Sequence, residues 1–254
     1  QTSGSPLVDL QETLYTSSNP TRRWLHNDRR ERISAEIRAA AVARPGGRAL
    51  EVGPGAGPYV ELLCASFGEV VASDVEGRFL EHVRNLHGDR PELTLVEDDI
   101  ERSALDAGSF DVVLCTEVIE HLPAPAAALD SIFRLLRPGG TLILSTPQPY
   151  STVELLGRVA FRPGVIRITR TIYREPVLPT GHISLLGRRR LAAMLGASGF
   201  RVQASGVGGL YLPVLAEVGG DRALRLERRL APALAGGPLR GLLWTQYWTA
   251  SRPA

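Results

Sequence analysis

A chain of 254 residues with 44% apolar content can bury a substantial core, as one enlarged domain or as a domain with a cap, so disorder as the main state is excluded. The sequence shows no apolar run of roughly eighteen residues, no charged-then-apolar leader, and only two cysteines, Cys64 and Cys115; neither a membrane span, a secretion signal, a disulfide framework nor a thiolate zinc cluster is expected, and the expected compartment is cytoplasmic. The net charge of +2 hides an asymmetry: from Glu51 to Asp130 there are seventeen acids and four arginines, and beyond Asp130 seventeen arginines and five acids.

Residues 1–20 are rich in Ser, Thr and Asn without a sustained period and read as a lead-in. Between Arg22 and about Val42 the positions Ile33, Ile37, Ala40 and Ala41 recur at helical spacing, and Pro45-Gly46-Gly47 ends the element. A strand-then-helix rhythm follows. Apolar runs at 48–52, 69–73, 93–96, 111–115 and 141–145 alternate with helix-like stretches near 59–67, 76–86 and 124–136. This alternation predicts an α/β domain with a largely parallel sheet, whose ligands sit at the carboxyl ends of the strands. A helix at 187–198, a strand at 200–204 and a closing strand at 242–249 complete the pattern. Residues 149–186, with Pro163, Pro176 and Pro179 among apolar patches and arginines, are expected to be a lid inserted into the domain. The domain itself is expected over 45–254, with 1–44 as lead-in and helix.

The first strand ends in Glu51-Val52-Gly53-Pro54-Gly55-Ala56-Gly57. Glycines there permit a tight turn and close approach of a ligand, while the next helix offers free N–H groups. The spacing is G-x-G-x-G, with Pro58 where a dinucleotide site would continue, so alone it is weak evidence, with a plain strand-to-helix turn as the alternative. Asp74 closes the second strand, placed to accept both hydroxyls of a ribose, and Asp99 follows the third, placed to hold an adenine amino group. Three such features at successive strand ends point to a nucleoside.

With Phe110 to Leu122 (FDVVLCTEVIEHL) and Leu135 to Pro147 (LLRPGGTLILSTP) added, the sequence resembles the class I S-adenosylmethionine-dependent methyltransferases over about 45–205. The resemblance implies a Rossmann-like seven-stranded sheet with helices on both faces and a final antiparallel hairpin. It implies S-adenosylmethionine, with Gly53, Gly55 and Gly57 at its methionine and ribose, Asp74 at the ribose, Asp99 and Ile100 at the adenine, the Cys115 backbone beside the sulfonium, and Glu51 also among the cofactor-binding residues.

The second constellation is Glu117-x-x-Glu120-His121. On a helical turn these positions share a face, and His182 follows in Thr180-Gly181-His182-Ile183. Two carboxylates with two imidazoles suit Mg²⁺ or Mn²⁺, with zinc left open. The layout resembles the ubiquinone-biosynthesis O-methyltransferases and the small-RNA 2′-O-methyltransferases, both acting on one of two vicinal oxygens. A cation bridging two oxygens lowers the hydroxyl pKa and aligns the nucleophile. The sequence reading is therefore a metal-assisted O-methyltransferase, with Glu117, Glu120, His121 and His182 as ligands, His121 and His182 as the catalytic pair, and a sugar, polyol or catechol-like acceptor. Two alternatives stand beside it: a metal-independent small-molecule methyltransferase with His121 as general base, and a cofactor-binding scaffold without turnover.

The arginine-rich half bears on partners. Every one of the 29 basic residues is arginine, which excludes lysine Schiff-base or general-base chemistry. Basic amphipathic segments at 149–192 and 221–240 suggest either an ordinary lid and helix or peripheral contact with an anionic membrane. Aromatic residues make up 6% of the chain and form no stacking cluster, which argues against nucleic acid.

Overall fold

The computed structural model describes residues 13–160 and 181–254. Helix α1 (Pro20–Ala43) is nucleated by Asn19, whose side chain accepts from the Thr21 and Arg22 N–H groups, with Pro20 at the first helical position. Strands β1 (Arg48–Val52), β2 (Glu69–Asp74), β3 (Leu93–Glu97), β4 (Phe110–Thr116) and β5 (Leu136–Pro147) alternate with α2 (Val60–Ser66), α3 (Gly77–His87) and α4 (Pro125–Leu135). Helix α5 (Thr152–Ala160) follows β5, then α6 (Arg188–Ala197), β6 (Arg201–Gly208), α7 (Pro213–Ala235) and β7 (Thr245–Ser251).

The seven strands form one sheet in the order β3-β2-β1-β4-β5-β7-β6, with β1 to β5 parallel and β7 antiparallel to both neighbours. The rhythm expected from the sequence is thus the observed one. Two lengths differ: the last two strands are shifted to 201–208 and 245–251, and the segment between them is a 23-residue helix broken at Gly220 (φ +48°). The central part of the expected lid, 161–180, lies outside the described residues; α5 and the stretch 181–187 are its described flanks.

Alternation along the strands divides the core in two. Leu50, Val52, Val113, Leu142 and Leu144 face α4 and α6 through Leu129, Ile132 and Leu195. Ala49, Val112, Leu114 and Ile143 face α1 and α2 through Ile33, Ile37 and Leu63. Parallel strands covered on both faces explain why the runs at 48–52 and 111–115 place apolar residues on both faces rather than alternating with polar ones. The one acid within β1, Glu51, is almost wholly buried on the α1 side. Strand order reverses between β1 and β4, which pair with Val52 opposite Cys115. Their carboxyl ends therefore open a crevice at which a ligand can reach backbone from two loops.

Candidate active site

At that crevice lies a cavity of about 230 Å³, walled by Gly53 to Ala56 after β1, Thr116, Glu117, Glu120 and His121 at and after the end of β4, residues of α1, and His182. The β1 loop owes its shape to glycine. Gly53, Gly55 and Gly57 all have left-handed backbone (φ +64°, +53° and +74°), and the Gly57 N–H closes a turn on the Pro54 carbonyl at 2.8 Å. A Cβ on Gly53 would stand 2.6 Å from Val118 Cγ2, so glycine also lets the two loops touch.

The loop after β4 departs from the expected helical turn. Glu117 has φ +56°, an unusual value for a residue with a side chain, and only Ile119–His121 form a 3₁₀ turn. Glu117 therefore does not share a face with Glu120 and His121. Its N–H is held by the Ser145 carbonyl at 2.9 Å, and its carboxylate is taken by Arg29 at 2.6 Å and the Ser145 hydroxyl at 2.7 Å. Burial disfavours the Arg29 charge, but the Glu117 carboxylate together with Tyr15, Tyr59 and Tyr247 outweighs it and the net pKa shift is upward. His26, in the same α1 stripe, is kept neutral first by burial and then by Arg29 and Arg22, and its Nδ1 lies 3.3 Å from Arg29.

What the geometry does bring together is Glu120, His121 and His182, each with a donor atom within 4.8 Å of the others. Glu120 is 1% exposed. Its Oε2 accepts from the Thr146 hydroxyl at 2.8 Å, while its Oε1, equally buried, has no partner among the described residues. Burial, reinforced by the nearby Glu117, pushes its pKa well up. The two imidazoles are prepared alike. His121 Nδ1 is 3.3 Å from the Gly181 carbonyl, which can only accept, so Nδ1 carries the proton and Nε2 the lone pair. His182 Nδ1 is 2.9 Å from the Glu154 carboxylate of α5, which fixes the same tautomer. The rings lie 5.1 Å apart, and burial lowers the pKa of His121.

The family comparison agrees with this architecture: the methyltransferase domain family matches residues 24–205. The chain is a member of the methyltransferase domain family. It is 38% identical over 136 residues to a ubiquinone biosynthesis O-methyltransferase of Psychrobacter cryohalolentis, an overlap covering 50% of this chain and 52% of that protein. The chain thus spans about half the length of the curated relatives it matches. Among solved structures it is similar to an S-adenosylmethionine-dependent methyltransferase of Mesorhizobium loti (TM-score 0.59, 18% identity, 86% of this chain and 96% of that one). It is also similar to the N-methyltransferase NodS of Bradyrhizobium japonicum in complex with S-adenosyl-L-homocysteine (TM-score 0.57, 16% identity, 98% of each chain). Family match and solved structures agree on the fold of a methyltransferase domain.

The remaining expected cofactor residues of the methyltransferase sit around the same sheet edge but outside the cavity lining. Glu51 Oε2 is buried without a partner among the described residues, and burial alone pushes its pKa up to about 8. The nearby Tyr59 Oη, which does line the cavity, is also buried and unpartnered among them. Asp74 ends β2, accepts from the Glu76 N–H at 2.9 Å, and is raised in pKa mainly by burial. Asp99 caps the short turn at Ile100–Arg102 through the Glu101 N–H and pairs with Arg102 at 2.9 Å, while Ile100 is buried. The Cys115 side chain points away into the core, and burial raises its thiol pKa.

The sequence reading missed Arg29, His26, Tyr59 and Glu154. For the first two a signal existed: His26, Arg29, Ile33, Ile37 and Ala40 run at spacings of three and four along one face of α1, so two polar residues continue the apolar stripe. Gly53→Ala is expected to destabilise the methyltransferase by about 2 kcal/mol, from the left-handed backbone and the Val118 contact together. Thermal unfolding measures it, and an unchanged melting temperature would show that the two loops separate freely.

Proposed function

We propose that this methyltransferase methylates an oxygen, and that the acceptor is a hydroxyl beside a second oxygen on a sugar, polyol or catechol-like ring. The observation that carries the reading is the buried Glu120 carboxylate, whose Oε1 has no partner among the described residues and which places an oxygen within 4.8 Å of ring nitrogens of His121 and His182. An acid left this way costs stability unless a positive partner arrives. One carboxylate with two imidazoles whose Nε2 atoms are unprotonated is a donor set that fits Mn²⁺, Mg²⁺ or zinc. When bound there, a divalent cation supplies Lewis acidity and a template for two neighbouring oxygens. Glu154 holds the His182 ring in place from behind, and Arg29 holds Glu117 aside. The name of the Psychrobacter relative supports oxygen as the acceptor atom.

The cofactor half rests on Glu51 and Tyr59. Two polar groups without a partner among the described residues, on the α1 side of the β1 loop, suit the ammonium of the methionine moiety, and the glycine loop admits the ligand against its backbone. When bound, S-adenosylmethionine supplies the sulfonium-activated methyl group.

A second reading is favoured by the lowered pKa of His121 and its Nδ1–Gly181 contact, which leave Nε2 as a general base on the cavity wall. A metal-ligated Nε2 cannot take a proton, so the two readings exclude each other. Metal analysis of the purified protein, with turnover measured after chelation and after adding back Mg²⁺ or Mn²⁺, separates them. Loss on chelation and recovery on add-back is the expected result; full activity in chelator assigns His121 the role of base.

A further inference from the structure

Strands β6 and β5 are both antiparallel to β7 and hence parallel to one another, so the connection from β6 to β7 leaves the sheet at the same carboxyl edge as the cavity. That connection is α7. It is anchored to α1 by buried polar contacts: Glu227 accepts from the Thr21 hydroxyl at 2.6 Å and from the Leu212 N–H at 2.7 Å, and Glu217 pairs with Arg22 at 2.7 Å. The helix is thereby fixed relative to His26 and Arg29 on the cavity wall.

Beyond the break at Gly220, Ala223, Glu227 and Ala231 bury one face of α7 at intervals of four. The opposite face carries Arg222, Arg225 and Arg229, and the shoulder between it and the buried stripe is apolar. Leu226 and Leu230 are 42% and 38% exposed, and they lie beside Arg222, Arg225 and Arg229, all exposed, with Arg228 on the flank. None of these four arginines has an ion-pair partner among the described residues. Of the acids on α7, Glu217 and Glu227 are consumed by the anchoring contacts, which leaves Asp221 against four positive charges. Before the break, Val214 and Val218 are 60% and 76% exposed.

We propose that the outer face of α7 docks on an anionic lipid bilayer and holds the cavity edge against the membrane surface. Free arginines supply attraction to acidic headgroups, and leucines interleaved with them supply apolar area that an aqueous face would not retain. A polyanion such as nucleic acid would be served by the arginines alone. The proposal is independent of the acceptor and metal chemistry above.

The test is co-sedimentation of the full chain with vesicles of phosphatidylcholine alone and with about one-third phosphatidylglycerol, at low and raised salt. Binding is expected only to the anionic vesicles, weakening with salt. Each arginine near such a surface contributes about fivefold in affinity, so R225Q/R229Q should weaken binding about 25-fold. L226D/L230D, at exposed positions, should also lose binding while keeping the wild-type melting profile. The proposal is overturned by equal binding to neutral vesicles, by absence of binding, or by R225Q/R229Q and L226D/L230D binding like wild type. It is overturned equally if only the arginine variant matters, which would mark a polyanion site, or if vesicles are ignored while L226D/L230D dissociates a dimer.

Discussion

Glu120→Gln is expected to abolish divalent-cation binding and turnover while making the protein more stable at neutral pH. Outer-shell changes around metal ligands cost roughly 10–100-fold in affinity, and removing a ligand charge exceeds that range. Stability moves the other way. The folded-state pKa of Glu120 is raised well above its ordinary value of 4.5, chiefly by burial and then by Glu117. Above pH 4.5 the unfolded chain has released this proton and the folded chain still holds it, so stability falls as pH rises through the raised folded value. The amide carries no such penalty. Thermal unfolding of the metal-free protein should therefore show Glu120→Gln above wild type at pH 8, by about 1–3 kcal/mol, with the gap closing toward pH 4. Glu154→Gln should be milder, staying within the 10–100-fold range in cation affinity, because it loosens the His182 ring without removing a donor. If Glu120→Gln binds Mn²⁺ like wild type in titration calorimetry, the cation site is elsewhere.

How far the sequence could be read depended on whether a feature was local. The strands were legible because burial on both sheet faces favours short runs rich in apolar residues, and the glycine loop because a left-handed backbone at 53, 55 and 57 leaves few other residues tolerable. The pairing of Glu120 and His121 with His182 was legible through motif spacing. The role of Glu117 was not. Its partner Arg29 is 88 positions earlier, on a helix whose polar stripe carries no motif, and only the packing of α1 across the carboxyl edge brings the guanidinium within 2.6 Å. Regular spacing favoured a helical turn there, yet the Ser145 carbonyl captures the Glu117 N–H and turns the backbone before the 3₁₀ turn begins. Likewise α7 read as basic and apolar in helical order, but only the fold shows which leucines stay outside and that the helix leaves the sheet at the cavity edge.

Glu51 gives the second large effect, and it is measurable without an acceptor. In the ligand-free protein burial holds its pKa up at about 8, so at pH 7 the carboxyl is mostly protonated. Pairing with the ligand ammonium favours the ionised form and lowers that pKa, so binding expels a proton. The affinity for S-adenosylhomocysteine should therefore rise up to about tenfold per unit between pH 6 and 8, as linkage requires for one proton released. Above about pH 9 the ligand's own ammonium, held up by its adjacent carboxylate, loses its proton and affinity falls again, which places the optimum between about pH 8 and 9. Calorimetry in two buffers of different ionisation enthalpy counts the released proton directly. Glu51→Gln should erase the rising limb, leave the falling one, and weaken binding at pH 8 by roughly 10–100-fold through loss of a charge-assisted contact. An unaltered rising limb in Glu51→Gln would assign the proton to another group, with Asp74, whose pKa burial also raises, the next to substitute.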